Sequence, residues 1–199
     1  MTNGQSARTT RYWDCCKPSC GWSANAQQGG KSQPATACAK DGSTTLGNDT
    51  QSACSGGSAY QCNWGAPWQV GPNLSYGYAA TSGNTNCGKC YQLDFTGTGD
   101  NAGAQSLQGK SMIVQAVNIG GDVGDRHFDV LIPGGGVGAF NGCYGNGSQY
   151  QWGNVNGGAQ SGGFLTTCGN SMTCITSMCT AAFGSNSALM AGCSWFVGW

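Results

Sequence analysis

Two aspartates lie in sequence surroundings that could give a carboxyl group a chemical role. Asp14 stands in the segment TTRYWDCCKPSCGW, which begins at Thr9, between a tryptophan and a pair of adjacent cysteines. Asp129 lies in the apolar segment HFDVLIP, where burial would raise the pKa of its carboxyl group. A carboxyl held in place by disulfides and a second one protonated near neutral pH are what general base and general acid catalysis require.

Simpler interpretations of both aspartates remain open at this point. Asp14 could be a turn or helix-capping acid in a disulfide-rich loop, and Asp129 could face solvent on the same strand face as His127. If both are functional, two acids on separate rigid segments suit glycoside hydrolysis, in which one carboxyl protonates the leaving oxygen and the other activates water or attacks directly. The chain has eight acidic residues, all aspartates, and polar or glycine-rich surroundings predict solvated loops for three of them: Asp41, Asp49 and Asp100.

Aromatic residues are more numerous than a small core needs, so we expect some of them to be exposed platforms on which sugar rings stack. More than half should instead pack in the core against disulfides. The aromatic residues considered are Tyr12, Trp13, Trp22, Trp64, Trp68, Tyr150, Trp152, Trp195 and Trp199. Other chemistries fit less well, because the chain has no GxSxG motif and PGGGVGAF lacks the lysine of a phosphate-binding loop. We interpret these glycines as a tight turn beneath the strand that carries Asp129.

The composition limits the possible partners. The 199 residues have a formal net charge of zero and only 8% are charged, so no basic surface is available for nucleic acid. No apolar run approaches the roughly 20 residues that span a bilayer. A surface of Ser, Thr, Asn and Gln suits a neutral polyhydroxy ligand. The length predicts a single domain over residues 1–199, with a flexible N-terminus at 1–8 and no further module or linker; we expect a monomer.

Thirteen cysteines predict a disulfide framework and therefore an oxidising, extracellular compartment. The CGKC segment has zinc-like spacing, but no second such pair lies nearby and the chain has one histidine, so no metal and no cofactor are expected. Because thirteen is odd, at least one thiol should be unpaired within the chain. The start MTNGQSARTT has no apolar core, so we expect that a targeting segment has been removed from a secreted protein.

The pattern of apolar residues predicts a mainly β protein with short strands and few long helices. Strand candidates are CYQLDFTG, KSMIVQAVN and RHFDVLIPGGG, with weaker candidates at FLTTC and CSWFVGW. Residues 15 to 62 read as a disulfide-stapled loop, and APWQVGPNLSYGYAAT is expected to contain a short helix or turn near Pro72. Closely spaced short strands favour a barrel or a sandwich over a parallel α/β sheet.

Several of these segments together resemble the family-45 glycoside hydrolases, which are secreted endoglucanases. The segment TTRYWDCCKPSC is similar to that family's signature, and GKSMIVQAVNIGGDVGDRHFDVLIPGGGVGAFNGC resembles its central region. PWQVGPNLSYGYAAT followed by CGKCYQLDFTG resembles its middle region, so the similarity extends from about Thr9 to Cys143. The resemblance implies a six-stranded double-psi β-barrel with long disulfide-stapled loops and an open groove.

The resemblance also implies an activity and a set of site residues. The activity is hydrolysis of internal β-1,4 bonds in cellulose, related β-glucans or cello-oligosaccharides, with inversion at the anomeric carbon. The general base falls on Asp14, the general acid on Asp129 and a mobile-loop acid on Asp122. Substrate-binding or supporting positions fall on Thr10, Tyr12, Trp22 and His127.

The disulfide pairs that the resemblance implies are Cys15 with Cys143, Cys16 with Cys54, Cys20 with Cys87, and Cys38 with Cys62. It leaves open the partners of Cys90, Cys168, Cys174, Cys179 and Cys193. Two departures stand out: the family usually has a cysteine where this chain has Gly88, and it usually continues through another strand after the segment GCSWF. The last strand of the barrel is therefore the weakest structural expectation.

Two other functions are compatible with much of the sequence. An expansin-like protein, which binds or loosens polysaccharide without hydrolysis, also carries an HFD motif but lacks an acid at the position of Asp14. A barwin-like or lectin-type module would bind sugars through the aromatic residues alone. The presence of Asp14 favours an enzyme over an expansin-like protein.

Overall fold

The computed structural model describes residues 4–101 and 103–199, and these fold around one β-sheet followed by a helical C-terminal region. The strands are β1 (Arg8–Tyr12), β2 (Trp68–Gly71), β3 (Leu74–Thr81), β4 (Cys90–Asp94), β5 (Ser111–Ile119) and β6 (His127–Leu131). The α-helices are α1 (Ser23–Gln28), α2 (Gly163–Thr167), α3 (Met172–Phe183) and α4 (Ser187–Gly198). Short 3-10 turns occur at Ser19–Gly21, Ala53–Ser55, Asn63–Gly65, Asn84–Asn86 and Ala104–Leu107.

All six strands belong to one sheet, in the order β1-β6-β3-β5-β4 with β2 paired to β3. The pairs β1/β6 and β3/β5 are parallel, whereas β2/β3, β3/β6 and β4/β5 are antiparallel. The expectation of a mainly β, six-stranded fold is confirmed. Parallel pairing joins strands that are far apart in sequence, so the N-terminal strand is held by a strand that follows it by more than a hundred residues.

Alternating side chains on β3 and β5 explain why these segments form strands. Met112 and Val114 on β5 are fully buried, as is Ser75 on β3, while the residues between them are only half-buried. This period of two places one set of side chains inside the sheet and the other outside. Inside, Met112 and Val114 pack in a core with six other buried residues: Ala79, Leu93, Phe128, Val130, Ile132 and Trp199.

The C-terminal region corrects two sequence-based expectations. FLTTC and CSWFVGW were weak strand candidates, but they lie in helices α2 and α4. Aromatic and β-branched residues favour strands in general. Here the disulfide Cys168–Cys174 joins the end of α2 to α3 and Cys179–Cys193 joins α3 to α4, while side chains of Ser171 and Asn186 cap α3 and α4. The end of α4 lies against the interior of the sheet, where the Trp195 indole N–H donates to the Ser75 hydroxyl at 2.8 Å.

Two further expectations concern local structure. The turn expected near Pro72 is present, because Pro72 and Asn73 form the turn that connects the antiparallel strands β2 and β3. Of the N-terminal residues 1–8 that were expected to be flexible, 1–3 lie outside the described residues, while Arg8 begins β1 and its N–H donates to the Arg126 carbonyl at 3.0 Å. Residues 15 to 62 form a disulfide-linked loop, as predicted, apart from α1 and short 3-10 turns.

Six disulfides cross-link the described residues. Four join the pairs that the resemblance implies, and the other two join Cys168 to Cys174 and Cys179 to Cys193. Cys90 is left as an exposed free thiol on β4. Cys87 of the CGKC segment is bonded to Cys20, which accounts for that cysteine without a metal. Within the described ranges, no helix has the length and apolar character that crossing a membrane requires.

Replacing Trp199 tests whether the end of α4 is part of the core. Trp199 is 8% exposed, stacks on Trp195 at 5.0 Å between ring centroids and meets Phe95 edge-on at 6.0 Å. We expect Trp199→Ala to lower the free energy of unfolding by about 3–5 kcal/mol, as measured in denaturant titrations. The control is Trp64→Ala, which removes a tryptophan that is 46% exposed and should cost about 0.5 kcal/mol or less. Equal losses in the two variants would contradict this packing.

Candidate active site

Asp14 is held by main-chain hydrogen bonds on both sides. Directly before it, Trp13 is almost completely buried, and its N–H donates to the Gly136 carbonyl at 2.7 Å. The carbonyl of Asp14 itself accepts from the Gly142 N–H at 2.8 Å. The glycine-rich turn after β6 and the segment that follows it therefore fix the backbone that carries this carboxyl group.

The residue after Asp14 adopts an unusual backbone conformation. Cys15 has φ 61°, in the left-handed region, which costs a non-glycine residue about 1–2 kcal/mol. It is kept there by a fully buried disulfide to Cys143. The turn brings the Cys16 N–H to 2.9 Å from Asp14 Oδ1, so the carboxylate has a fixed donor. Disulfides beside Asp14 thus orient its side chain as well as its backbone.

Asp129 is placed by the parallel register between β1 and β6. Thr10 lies opposite Asp129 in this register, and its hydroxyl donates to Asp129 Oδ1 at 2.6 Å. The same hydroxyl is 2.7 Å from Nε2 of His127, which lies two residues before Asp129 on the same face of β6. Because the hydroxyl has a single proton, donating it to an ionised Asp129 requires that Nε2 of His127 carry a proton and donate to Thr10.

Burial sets the protonation behaviour of both carboxyl groups. It raises the pKa of Asp14 to about 7, with the charge of Asp129 adding to the rise and the Cys16 N–H opposing it. It also raises the pKa of Asp129 to about 6, a rise that the Thr10 hydrogen bond and the charge of Arg11 oppose. Both side chains keep partial solvent access, although they are surrounded mainly by protein atoms. The two groups therefore interact electrostatically within one site.

Tyr12 lies where both carboxyl groups act on it. Burial, followed by the charges of Asp14 and Asp129, raises the pKa of Tyr12 well above its usual value, so the phenol stays protonated. Its hydroxyl accepts from the side-chain amide of Asn118 at 2.9 Å. Asn118 also accepts from the main-chain N–H and the hydroxyl of Ser19, at 2.8 and 2.6 Å, and so links β5 to the cysteine-rich segment.

Asp122 lies on the exposed loop between β5 and β6. Its negative charge raises the pKa of Asp129, which places it within electrostatic reach of that carboxyl group. The pKa of His127 is lowered, mainly by burial and next by the charge of Arg8, while Asp122 opposes both. A histidine with a lowered pKa is neutral near pH 7, so its role beside Thr10 is to donate a hydrogen bond rather than to supply a charge.

Trp22 is oriented by a buried lysine. The Lys17 ammonium lies 3.4 Å from the centroid of the Trp22 ring, a cation–π contact. Lys17 is 4% exposed and donates to the carbonyl oxygens of Asn48 and Thr50, at 2.5 and 2.9 Å. One face of the Trp22 indole is thus engaged by this ammonium group, and the ring stands at the start of α1.

Comparisons with known proteins identify the family of the chain. The sequence profile described as Glycosyl hydrolase family 45 matches residues 6–196. The chain belongs to glycosyl hydrolase family 45. Over its whole length it is 42% identical to an Endoglucanase of Cryptopygus antarcticus, of which it covers 79%.

The chain is also similar to other proteins named endoglucanase or cellulase. It is 45% identical to Endoglucanase B of Cellvibrio japonicus, but it spans only 41% of the length of that protein. The crystal structure of the cellulase from the Antarctic springtail Cryptopygus antarcticus superposes with a TM-score of 0.75, at 42% identity over 98% of this chain and 83% of that one. The fold is therefore that of a family 45 cellulase.

Sequence reasoning singled out most of the residues that this family 45 structure brings together. Thr10, Tyr12, Asp14, His127 and Asp129 are linked by hydrogen bonds or by electrostatic interaction, with Asp122 nearby. Trp22 interacts with Lys17, and its role in binding stays a prediction. Two residues were missed: Asn118 and Lys17. Asn118 ends the predicted strand segment KSMIVQAVN, and a polar residue at the end of a mostly apolar segment was the available signal.

Thr10→Val tests the hydrogen bond to Asp129. The substitution keeps the shape of the side chain but removes the donor that lowers the pKa of Asp129. We expect the pKa of Asp129 to rise by roughly one pH unit, as a hydrogen bond to a charged group would allow. The measurement is an NMR titration of ¹³C-labelled aspartate carboxyls. Thr9→Val, at an exposed neighbouring position, is the control and should leave the titration unchanged; a rise of equal size there would rule out this role for the Thr10 hydroxyl.

Proposed function

We propose that the protein is an endo-β-1,4-glucanase that hydrolyses internal bonds of cellulose, related β-glucans and cello-oligosaccharides. The observation that carries the proposal is the interacting pair Asp14 and Asp129, two carboxyl groups with raised pKa values in a family 45 chain. Relatives named endoglucanase and cellulase support it. Six disulfides support action in an extracellular, oxidising medium.

In this proposal the two carboxyl groups act on opposite faces of one sugar ring. Asp129 protonates the glycosidic oxygen as the bond to the anomeric carbon breaks. Asp14 removes a proton from a water molecule, whose oxygen attacks that carbon from the other side and inverts its configuration. In the resulting hydrolysis, one water is consumed, one glycosidic bond is broken and the proton lost by Asp129 is balanced by the one gained by Asp14.

The proton distribution between the two groups is compatible with these roles. Burial raises the pKa of Asp14 to about 7 and that of Asp129 to about 6, well above the usual range of an aspartate. The pair can therefore keep one proton near neutral pH, as an acid and a base in one site require.

Neighbouring residues shift the balance toward a protonated Asp129. The charge of Asp122 raises the pKa of Asp129, so a movement of its glycine-flanked loop toward bound substrate would increase the fraction in which Asp129 carries the proton. The neutral phenol of Tyr12, held by Asn118, is available to donate to a sugar oxygen. Trp22 supplies an indole ring for stacking on a sugar farther along the chain.

Substitution of each carboxyl group separates the two roles. We expect Asp14→Asn and Asp129→Asn each to lower kcat on soluble β-glucan by about 10²–10⁴, the contribution of one general acid or base. Asp129→Asn should regain activity on aryl cello-oligosaccharides whose leaving groups need no protonation. Asp14→Ala should regain activity with added azide, which replaces the activated water. Asp100→Asn, an exposed aspartate, is the control and should keep the full rate.

The product formed first provides the decisive measurement for this proposal. An inverting enzyme releases the α-anomer from a β-glucan, and ¹H NMR early in the reaction should detect it before mutarotation. Release of the β-anomer would disprove the roles assigned to Asp14 and Asp129, since it requires a covalent intermediate. A complete absence of reducing sugar with the unsubstituted protein would disprove the enzymatic function and favour a non-hydrolytic, expansin-like protein.

The pH dependence should be bell-shaped and narrow. Below about pH 6 both carboxyl groups carry protons and no base remains, whereas above about pH 7 both are ionised and no acid remains. We therefore expect kcat/KM on soluble cello-oligosaccharide to reach its maximum between these two values. A profile that stays level well above pH 8 would contradict the coupling of the two groups.

A further inference from the structure

A row of side chains crosses four strands on the outside of the sheet, and the site described above does not use it. Trp68 on β2 lies opposite Tyr76 on β3. Ile113 on β5 lies opposite both Tyr76 and Gln92, the latter on β4. Directly opposed residues share one face of a sheet. Because neighbouring strands are about 4.8 Å apart, the row spans about 14 Å. We call these four residues the outer row.

The outer row faces away from the core. On β3, β5 and β4 the residues that alternate with it include Ser75, Met112 and Leu93, which are buried inside the sheet. Tyr76 and Ile113 are half-buried, and Gln92 is exposed. Trp68 is 44% exposed, although a tryptophan gains more than almost any other side chain from burial. An accessible strip of this composition is a feature of interaction surfaces.

The aromatic end of the row is a cluster of three rings. The centroid of Trp68 is 5.8 Å from that of Tyr76 and 6.1 Å from that of Tyr78, with interplanar angles of 33° and 50°. The ring centroids are thus separated by about the length of one sugar residue, and the ring planes are tilted relative to one another. The other end of the row offers the amide of Gln92. The aromatic rings match the apolar C–H faces of a pyranose ring, and the amide and phenol groups match its hydroxyl groups.

The charge distribution limits what this face could bind. The sequence has no charged residue between Asp49 and Lys89, so β2 and β3 contribute none. The acid closest to the row along β4 is Asp94, whose carboxylate accepts from the Gln92 amide at 2.9 Å. A face without cations has nothing with which to hold phosphate or an anionic membrane, and its few polar groups suit a neutral ligand.

The row is separated from the two carboxyl groups along the strand. On β3, Ala80 pairs with Asp129, and Tyr76 precedes Ala80 by four residues. At about 3.3 Å per residue this places Tyr76 about 13 Å along the strand from the position opposite Asp129. A ligand on the outer row would therefore leave the carboxyl groups free to act on another part of the same polymer or on a neighbouring chain.

We propose that the outer row is a second binding surface for β-1,4-glucan, on which pyranose rings stack against Trp68 and Tyr76 while Gln92 bonds to a hydroxyl group. This inference rests on the proposed function, since it needs a polymeric substrate. Binding there holds the protein on insoluble glucan and raises the effective concentration of chain segments at the catalytic pair. Soluble oligosaccharides too short to engage both surfaces gain nothing from it.

The test compares insoluble and short soluble substrates in one variant. Trp68→Ala/Tyr76→Ser should weaken partition onto insoluble cellulose by roughly tenfold, the effect of losing one or two stacking contacts. Its kcat/KM on cellotetraose should equal that of the unsubstituted protein, which also shows that the variant is folded. The matched control is Trp64→Ala, which removes an equally exposed tryptophan outside the row and should leave partition unchanged.

A second measurement uses the free thiol of Cys90, which is exposed on β4 two residues from Gln92 and on the same strand face. A fluorophore attached there should change its emission when barley β-glucan is added, and Gln92→Ala or Trp68→Ala should suppress that change. Unchanged partition in the double variant, or an equal loss with Trp64→Ala, overturns the proposal.

Two further outcomes are informative. If gel filtration finds a dimer that Trp68→Ala converts to a monomer while partition onto cellulose stays the same, the face binds a second copy of the chain and the proposal is wrong. Failure of the proposed function would look different, because the unsubstituted protein would then release no reducing sugar from cellotetraose at all.

Discussion

The parallel pairing of β1 with β6 is the constraint on which the proposed catalytic site depends. It sets Thr10 opposite Asp129, and from that register follow the hydrogen bond to the carboxyl group and the link to His127. A shift of one residue would turn every side chain of β1 to the opposite face and leave Asp129 without its donor. The two strands are 119 residues apart in sequence at Thr10 and Asp129, so this register must be stabilised by contacts elsewhere.

Those contacts come from the disulfide Cys15–Cys143 and from the glycine turn after β6. Gly135 lies so close to β1 that a Cβ atom there would be 2.9 Å from the Tyr12 nitrogen, so a larger residue would push the strand away. Gly136 then accepts from the Trp13 N–H, and Cys143 closes the same segment covalently. The turn predicted beneath the strand of Asp129 therefore packs against the end of β1 and positions Asp14 as well.

Local sequence predicted the groups that carry chemistry better than the elements that hold them. Asp14 and Asp129 could be found because an acid beside cysteines or within an apolar run is unusual by itself, and β4, β5 and β6 show clear alternation. The strand β1 could not be found in this way, since Arg8–Tyr12 becomes a strand by pairing with distant β6.

The helical region after residue 162 was predicted wrongly because its aromatic residues favour strands locally, while Cys179–Cys193 and burial of Trp199 favour helix. Asn118 required the tertiary structure, because its role is to join Tyr12 to Ser19.

The scarcity of charge connects the site to the rest of the surface. With 8% charged residues, few cations are available to stabilise ionised carboxyl groups, and Arg11 is the one whose charge lowers the pKa of Asp129. Desolvation therefore dominates, and the pKa values of Asp14 and Asp129 rise toward neutrality. The same composition leaves amides, hydroxyls and aromatic rings as the means of holding a ligand outside the site. A neutral polymer of hydroxyl groups would bind to such a surface without a penalty for desolvating charges, so the raised pKa values and the proposed substrate class have a common physical origin.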